Sequence, residues 1–440
     1  MTSEGTNPDD ADDQGLSGAI AISLAVPGIF FAAVRHGRKT QSLLVLPAMA
    51  PHRIALLFNA NKVYDRQVVA GIGNYLNSTR VEWDLFMEED FRSRLRDIHQ
   101  FKGDGVIADF DDPEAPDTLR DLHIPVVAVG SSYRNAASYP AGVPYIATDN
   151  ARIVRLAYDH LIEQGVTRFA FYGIPPHPGS RWAQEREYAF RAIVDAESVD
   201  GVVYEGSPTS AGGWGHAVEE LVTWLAELPK PIGIVAVTDA RARQLLQACV
   251  MGGFAVPEQI AIVGIDNDPM AQLLTRIPLT SVIQGAEEMG RTAAHLLHQM
   301  LRGMDCSATR VLVPPVGINV QVSSRYHPMR SPHVMRASHY IRQYGCLGIK
   351  TEQVADYVGV SRTVLEEHFK RELKQTVHQV ILKHKLDTAC DLIANSDVPL
   401  ADIALRCGFT SLQYMYAVFR REYDCTPRQY LDLHRKTSAT

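Results

Sequence analysis

The 440-residue chain lacks most of the devices by which proteins of its size do chemistry. Its six cysteines, Cys249, Cys306, Cys346, Cys390, Cys407 and Cys425, form no CxxC pair and no Cys/His zinc spacing. Buried free thiols in a reducing cytoplasm are expected, with no metal. The sixteen histidines are scattered without an HExxH run. No phosphate loop and no GxSxG elbow occurs, so the chain is expected to be no enzyme and to need no cofactor. A basic surplus is missing as well. Net charge is −7, which by itself argues against a nucleic-acid partner. Long hydrophobic runs are nearly absent, the exception being the uncharged stretch Gly15–Val34. Its length would permit a membrane span. It follows an acidic segment (Glu4, Asp9, Asp10, Asp12, Asp13) where a signal peptide needs positive charge, and Pro27, Gly28 and several small residues dilute it. Residues 1–50 are therefore read as a disordered or artefactual leader with Met49 as the preferred start, and no membrane partner is expected; a membrane-tethered protein is the rival.

What is present is a soluble globular composition, 46% hydrophobic and 21% charged, in a chain too long for one ordinary core. The charge is unevenly spread. From residue 330 to 440 there are 16 Lys/Arg against 12 Asp/Glu, so the acidic excess lies elsewhere. Within that mildly basic end, PLADIALRCGFTSLQYMYAVFRREYDCTPRQY (Pro399–Tyr430) reads as helix, tight turn, helix. Gly408 supplies the positive φ that ends the first helix, and Thr410-Ser411 offers an N-cap for the second. Leu412, Met415, Tyr416 and Phe419 recur at i, i+3, i+4, i+7 and should face inward, leaving Gln413, Tyr414, Ala417, Arg420 and Arg421 outside. Amides and guanidinium groups on a free helix face suit base edges in a major groove. A solvated polar face would explain one such helix, but the design occurs twice. Val354-Ala355…Gly359 matches Ile403-Ala404…Gly408, and Ser361…Leu365…Phe369 matches Ser411…Met415…Phe419. An internal repeat of a helix-turn-helix is hard to obtain from a generic bundle.

With the joining segment KLDTACDLI (Lys385–Ile393) and the closing Phe419-Arg420-Arg421-Glu422-Tyr423…Thr426-Pro427, this region resembles the arabinose-operon-activator family of bacterial transcription factors. The resemblance implies two recognition helices, Ser361–Arg371 and Ser411–Arg421, held apart by a rigid helix around Val377–Ala394. Two successive major-groove faces lie about 34 Å apart, which suits that geometry. The implied DNA-facing residues are Ser361, Arg362, Thr363, Glu366, Lys370, Ser411, Gln413, Tyr414, Ala417, Arg420 and Arg421.

From Pro51 the pattern changes to a βα alternation. Strand-like runs are Arg53–Phe58, Trp83–Glu88, Gly105–Phe110, Ile124–Gly130, Tyr145–Thr148, Phe169–Gly173, Gly201–Tyr204, Ile232–Thr238 and Ile260–Ile265. Helical patterns such as Asp65–Leu76, Arg92–Phe101, Ala151–Gly165, Gln184–Ala196, Ala217–Leu228 and Ala240–Gly253 separate them. This predicts parallel α/β sheets, whose ligands bind beyond the carboxyl ends of the strands. Polar groups cluster at those ends: Asn61, Tyr64, Asp65 and Arg66 after the first strand, then Asp109, Asp149, Asp239 and Asp266, with Arg186 one turn into a helix. Singly, each Asp could be a helix cap. Together, carboxylates, amides and one guanidinium suit a small neutral polyol.

The stretches GDGVIADF, YIATDN, the segment around Arg186, AVTDARA and IAIVGIDND resemble the sugar-binding core of the lactose-repressor family, which is similar to periplasmic pentose-binding proteins. The resemblance implies that Asp149, Arg186 and Asp266 hold the sugar and that the chain crosses between two lobes three times. Lobe one is expected at 51–149 plus 280–305 and lobe two at 150–278 plus 306–324. The fold class expected is thus a two-lobed α/β periplasmic-binding-protein-like domain (51–324), a linker (325–334) carrying two prolines, and an all-α tandem helix-turn-helix domain (335–435). A lactose-repressor-type sensor ahead of an arabinose-activator-type reader is an uncommon order. It implies a cytoplasmic transcription activator acting as a homodimer on two DNA half-sites. The implied effector is a sugar, D-xylose first, with another pentose or polyol as the alternative, and RNA polymerase stays open as a further partner.

Overall fold

Short Val/Ile/Ala runs that are apolar at every position leave no face for water, so they belong inside a sheet covered on both sides. The computed structural model, which describes residues 30–36, 39–45, 51–88, 95, 97–208, 210, 212–326, 331–396 and 398–431, builds two such sheets. Ahead of them, β1 (Phe30–His36) and β2 (Lys39–Val45) pair antiparallel, a regular element where composition led us to expect none. The rest of the leader lies outside the described residues.

The first lobe begins with β3 (His52–Leu57), α1 (Val63–Thr79), β4 (Trp83–Phe86), β5 (Gly105–Asp109), α2 (Ala115–Leu119), β6 (Val126–Ser131) and β7 (Tyr145–Thr148). The chain then crosses to a second lobe. There α3 (Asn150–Glu163), β8 (Phe169–Tyr172), α4 (Arg181–Glu197), β9 (Gly201–Tyr204), α5 (Trp214–Glu227), β10 (Ile232–Ala236), α6 (Asp239–Gly252), β11 (Ile260–Ile265), α7 (Pro269–Leu273) and β12 (Thr280–Ile283) follow. It returns to lobe one for α8 (Ala286–Leu301) and β13 (Arg310–Val313), and crosses a third time to β14 (Gly317–Asn319). The sheet orders are β13-β7-β6-β5-β3-β4 and β14-β12-β11-β10-β8-β9, parallel throughout except for β14.

The three crossings match the expectation, but the division of the last segments does not. β12 belongs to lobe two and β13 to lobe one, the reverse of the expected split. Both strands are four residues long, too short for their patterns to show which sheet they complete. α8 and β14 sit where expected, and glycines explain the closeness of α8 to α1. A Cβ on Gly71 would stand 1.9 Å from the Glu287 carbonyl oxygen, and one on Gly290 would stand 1.9 Å from that of Val68. Each helix thus needs a glycine where the other's backbone passes. Of the helix expected at Arg92–Phe101, the described end is one 3₁₀ turn, Ile98–Gln100, preceded by Asp97 at φ 57. Among the described residues no helix is long and apolar enough to cross a membrane.

The reader comprises α9 (Pro332–Tyr344), α10 (Thr351–Val358), α11 (Arg362–Leu373), α12 (Val377–Asn395), α13 (Leu400–Arg406) and α14 (Leu412–Tyr423). It has two small cores. One gathers Val334, Ile341, Val354, Leu365 and Phe369 around Val377 and Ile381; the other gathers Ile403, Ala404, Met415 and Phe419 around Leu386, Ala389 and Ile393. The two halves of α12 therefore serve different helix-turn-helix units, which makes its 19 residues, about 28 Å long, a spacer with both ends fixed. Phe369 and Phe419 occupy equivalent sites and are fully buried; truncating either to Ala costs about 3–5 kcal/mol by the usual core scale.

Candidate functional site

The carboxyl ends of both sheets face one cavity of about 280 Å³, small beside the ~300–1,000 Å³ of drug-sized sites and suited to a compact ligand. Lobe one contributes Asn61, Lys62, Val63 and Tyr64 from the turn into α1, Asp109 and Asp111 from the end of β5, and Ser131 from the end of β6. Lobe two contributes Trp182 and Arg186 from α4, Thr238 and Ala240 beside the start of α6, Asp266 and Asp268 after β11, and Gln284 after β12.

Arg186 is the most constrained of these. Its Nε donates to Asn150 Oδ1 at 3.1 Å, Nη1 to the Val237 carbonyl at 2.7 Å and Nη2 to Gln284 Oε1 at 2.8 Å. Asp266 Oδ1 lies 3.9 Å from Nη1, and Gln284 Nε2 donates to the same oxygen. Trp182, one helical turn before Arg186, lays its ring 4.9 Å from the guanidinium carbon. Burial pushes the Asp266 carboxyl up to about 6, although Arg186 and the Gln284 amide pull the other way.

On the facing lobe, Lys62 Nζ donates to Asp109 Oδ2 at 3.0 Å. Burial alone would lower the Lys62 pKa, but Asp109, Asp65 and Asp111 together outweigh it and raise it. Asp111 accepts from Ser131 N–H and Oγ–H and from the Tyr133 hydroxyl, and burial holds its carboxyl above the ordinary range. Half-buried Tyr64 stays a neutral phenol, its pKa raised first by loss of solvent around the hydroxyl and then by the neighbouring carboxylates. The lobes also touch across the mouth. Gln67 Nε2 donates to the Asp266 carbonyl at 3.3 Å, Arg134 lies 3.3 Å from Glu185, and Arg181 lies over the Tyr133 ring.

Of the sugar-site residues expected from sequence, the cavity brings together Asn61, Tyr64, Asp109, Arg186 and Asp266. It does not bring in the other four. Asp65 turns back to accept the Asn59 N–H at 2.6 Å, and Arg66 donates to the Ala60 carbonyl at 2.7 Å. Asp149 caps α3 by accepting the Arg152 N–H at 3.0 Å. Asp239 lies fully buried behind the wall. Sequence reasoning missed Lys62, Asp111, Ser131, Trp182 and Gln284. Asp111 and Trp182 had a usable signal, two residues from Asp109 and four from Arg186; Gln284 follows β12, whose Thr280 and Ser281 dilute the apolar run.

In the reader, Ser361 and Ser411 cap their helices, accepting from Val364 N at 3.3 Å and Tyr414 N at 3.1 Å. Arg362, Thr363, Lys370, Gln413, Tyr414, Ala417, Arg420 and Arg421 are exposed. Arg362 leans on Glu352 at 2.6 Å and Arg421 on Glu422 at 2.8 Å. Glu366 departs from the expected face. Its Oε2 accepts the Val377 N–H at 3.2 Å and so joins α11 to the start of α12.

A two-lobed sensor with a polar, Trp-lined cleft, carrying two helix-turn-helix units on a rigid spacer, defines a sugar-responsive DNA-binding transcription regulator. The XylR N-terminal domain family matches residues 53–151, a periplasmic binding protein-like domain matches 158–324, and a helix-turn-helix domain matches 354–432. The xylose operon regulatory protein of Escherichia coli (strain K12) is 50% identical over 383 residues, 87% of this chain and 97% of that protein. The protein of the same name from Haemophilus influenzae is 45% identical over 379 residues, 86% and 98% of the two chains. A solved structure described as the xylose-binding transcription activator xylR is similar with a TM-score of 0.80 and 48% identity, covering 88% of this chain and 99% of that one. The chain belongs to the xylose operon regulatory protein family, whose members are transcription regulators and not enzymes.

Proposed function

We propose that the chain binds D-xylose between its lobes and, in the closed form, activates genes for xylose uptake and catabolism. One observation carries the reading. Lys62, Asp109 and Asp111 on one lobe oppose Arg186, Asp266 and Gln284 on the other, so a polyol can hydrogen-bond to both halves only when they close. The names of the relatives point to xylose as the polyol. The sensor is assigned to residues 51–324, the linker to 325–334 and the reader to 335–435. Asn61, Tyr64, Asp109, Arg186 and Asp266 are assigned to the sugar, and the exposed residues of α11 and α14 to DNA. The protein works in the cytoplasm as a homodimer, each reader on one half-site, with RNA polymerase as the neighbour it recruits. To turn a mostly inactive population into a mostly active one, the sugar must favour the closed form by about 10⁴, about 5.5 kcal/mol.

Calorimetric titration with D-xylose, L-arabinose, D-ribose and xylitol, paired with operator binding, tests this. Tightest binding of D-xylose and a sugar-dependent change in operator affinity or geometry are expected. Preference for another pentose or for the polyol would replace the effector, and binding without any effect on DNA would remove the regulatory step.

A further inference from the structure

Asp239 opens α6 behind the cavity wall and is fully buried. Its Oδ1 accepts the Ser281 Oγ–H at 2.6 Å and its Oδ2 accepts the Asp268 N–H at 2.8 Å. Ser281 Oγ, on β12, in turn accepts the Asn267 N–H at 2.9 Å. Two consecutive amides of the loop after β11 are thus held from behind by one carboxylate and one hydroxyl. The held backbone is unusual. Asp266 has φ 121 and Asn267 has φ 51, left-handed values that a residue with a Cβ keeps only when its surroundings enforce them. The strand leading into the loop makes room for the carboxylate: a Cβ on Gly264 would come 2.1 Å from Asp239 Oδ1. At the end of this arrangement the Asp266 carboxyl faces Arg186 and the Gln284 amide in the cavity.

We propose that Asp239, acting with Ser281, is a positioning residue for sugar recognition: it clamps the 266–268 loop and so aims Asp266 without touching the ligand. This rests on the reading of the cavity as a pentose site. A carboxylate is suited to the task because it takes an O–H and an N–H at once, one on each oxygen. Asparagine keeps one acceptor and alanine none.

Hydrogen exchange on the ligand-free full-length protein reads the clamp without sugar, and calorimetry with D-xylose reads its consequence. In Asp239→Ala, exchange at the Asn267 and Asp268 amides should quicken and D-xylose affinity should fall about tenfold or more, as expected when hydrogen bonds to a buried acceptor are lost. Asp239→Asn should keep part of both, and the β10 amides should stay protected. Ser281→Ala should release Asn267 alone with a smaller loss of affinity, which keeps the test sound if Asp239→Ala does not fold. Unchanged exchange at these two amides overturns the clamp, as does protection lost evenly across lobe two, or quickened exchange with affinity intact. A wild-type protein that takes up no D-xylose defeats instead the pentose reading.

Discussion

Arg342 of α9 pairs with Glu258 of the second lobe, and both lie largely out of solvent at the junction of reader and sensor. Around them Pro257 and Val322 of the sensor, with Arg325 at the start of the linker, face Ile341, Val380 and Lys383 of the reader. The sensor side of this junction is built from lobe two, so the reader should travel with that lobe when the cleft closes. Removing one partner of a buried pair leaves a stranded charge, a cost of about 3–5 kcal/mol when burial is complete. Glu258→Arg or Arg342→Glu should leave D-xylose uptake in place and blunt its effect on operator binding, and the double swap should restore it. Calorimetry and DNA-binding anisotropy on the same samples check this; a full sugar response in both single variants would show that the pair plays no part in transmission.

Arg186 spans Asn150, the Val237 carbonyl and Gln284, three acceptors that no shorter cation can reach together. Arg186→Ala strands these acceptors and should abolish sugar uptake, and Arg186→Lys should recover little of it. Operator affinity without sugar should remain near that of the wild type in both. Titration calorimetry with a parallel DNA-binding assay measures the separation.

Asp266 gives the cavity a pH dependence. Burial raises its pKa from the ordinary 3.8 to about 6, against Arg186, the Gln284 amide and the Asp239 backbone amide, with Asp268 adding to the upward push. The folded state therefore holds this proton more tightly than the unfolded chain. Its contribution to stability is full below about pH 4 and is lost as pH rises through about 6. A sugar hydroxyl donating to the ionised carboxylate has the opposite preference, so uptake should release a proton below about pH 6 and affinity should grow as pH rises through that value. Calorimetry in two buffers of different ionisation enthalpy detects the proton, and Asp266→Asn should show no such release.

Glu366 and Gln413 make a contrast within the reader. Glu366 is engaged with the Val377 N–H, whereas Gln413 projects from α14 without a described partner. Glu366→Ala should lower thermal stability by about 1 kcal/mol, the value of a cap-like hydrogen bond, and leave base preference alone. Gln413→Ala or Arg420→Ala should cost about 1–3 kcal/mol at particular base pairs and little elsewhere. Binding to a panel of single-base operator variants distinguishes the two patterns.

The reader was legible because its information is local. Gly359 and Gly408 sit at φ 82 and 69, Ser361 and Ser411 cap as the spacing implies, and Met415 and Phe419 are buried at their periodic positions. The cavity was legible only in part, because it is assembled from strand ends far apart in the chain. Asp266 follows the six apolar residues of β11 and was found; Gln284 follows β12, whose Thr280 and Ser281 dilute the apolar run, and was not. Carboxylates were harder to sort. Asp149 and Asp239 end apolar runs just as Asp266 does, yet one caps a helix and the other faces inward, a difference set by neighbours such as Ser281 that no local pattern reveals.

Because the chain passes between the lobes three times, neither can be lifted out as a module. Ending the polypeptide after Thr148 would strip lobe one of α8 and β13, exposing the groove at Gly71 and unpairing one edge of β7. Chimeras that graft a foreign pocket must therefore exchange both lobes as a unit, whereas a different reader need be joined at one point only, ahead of α9.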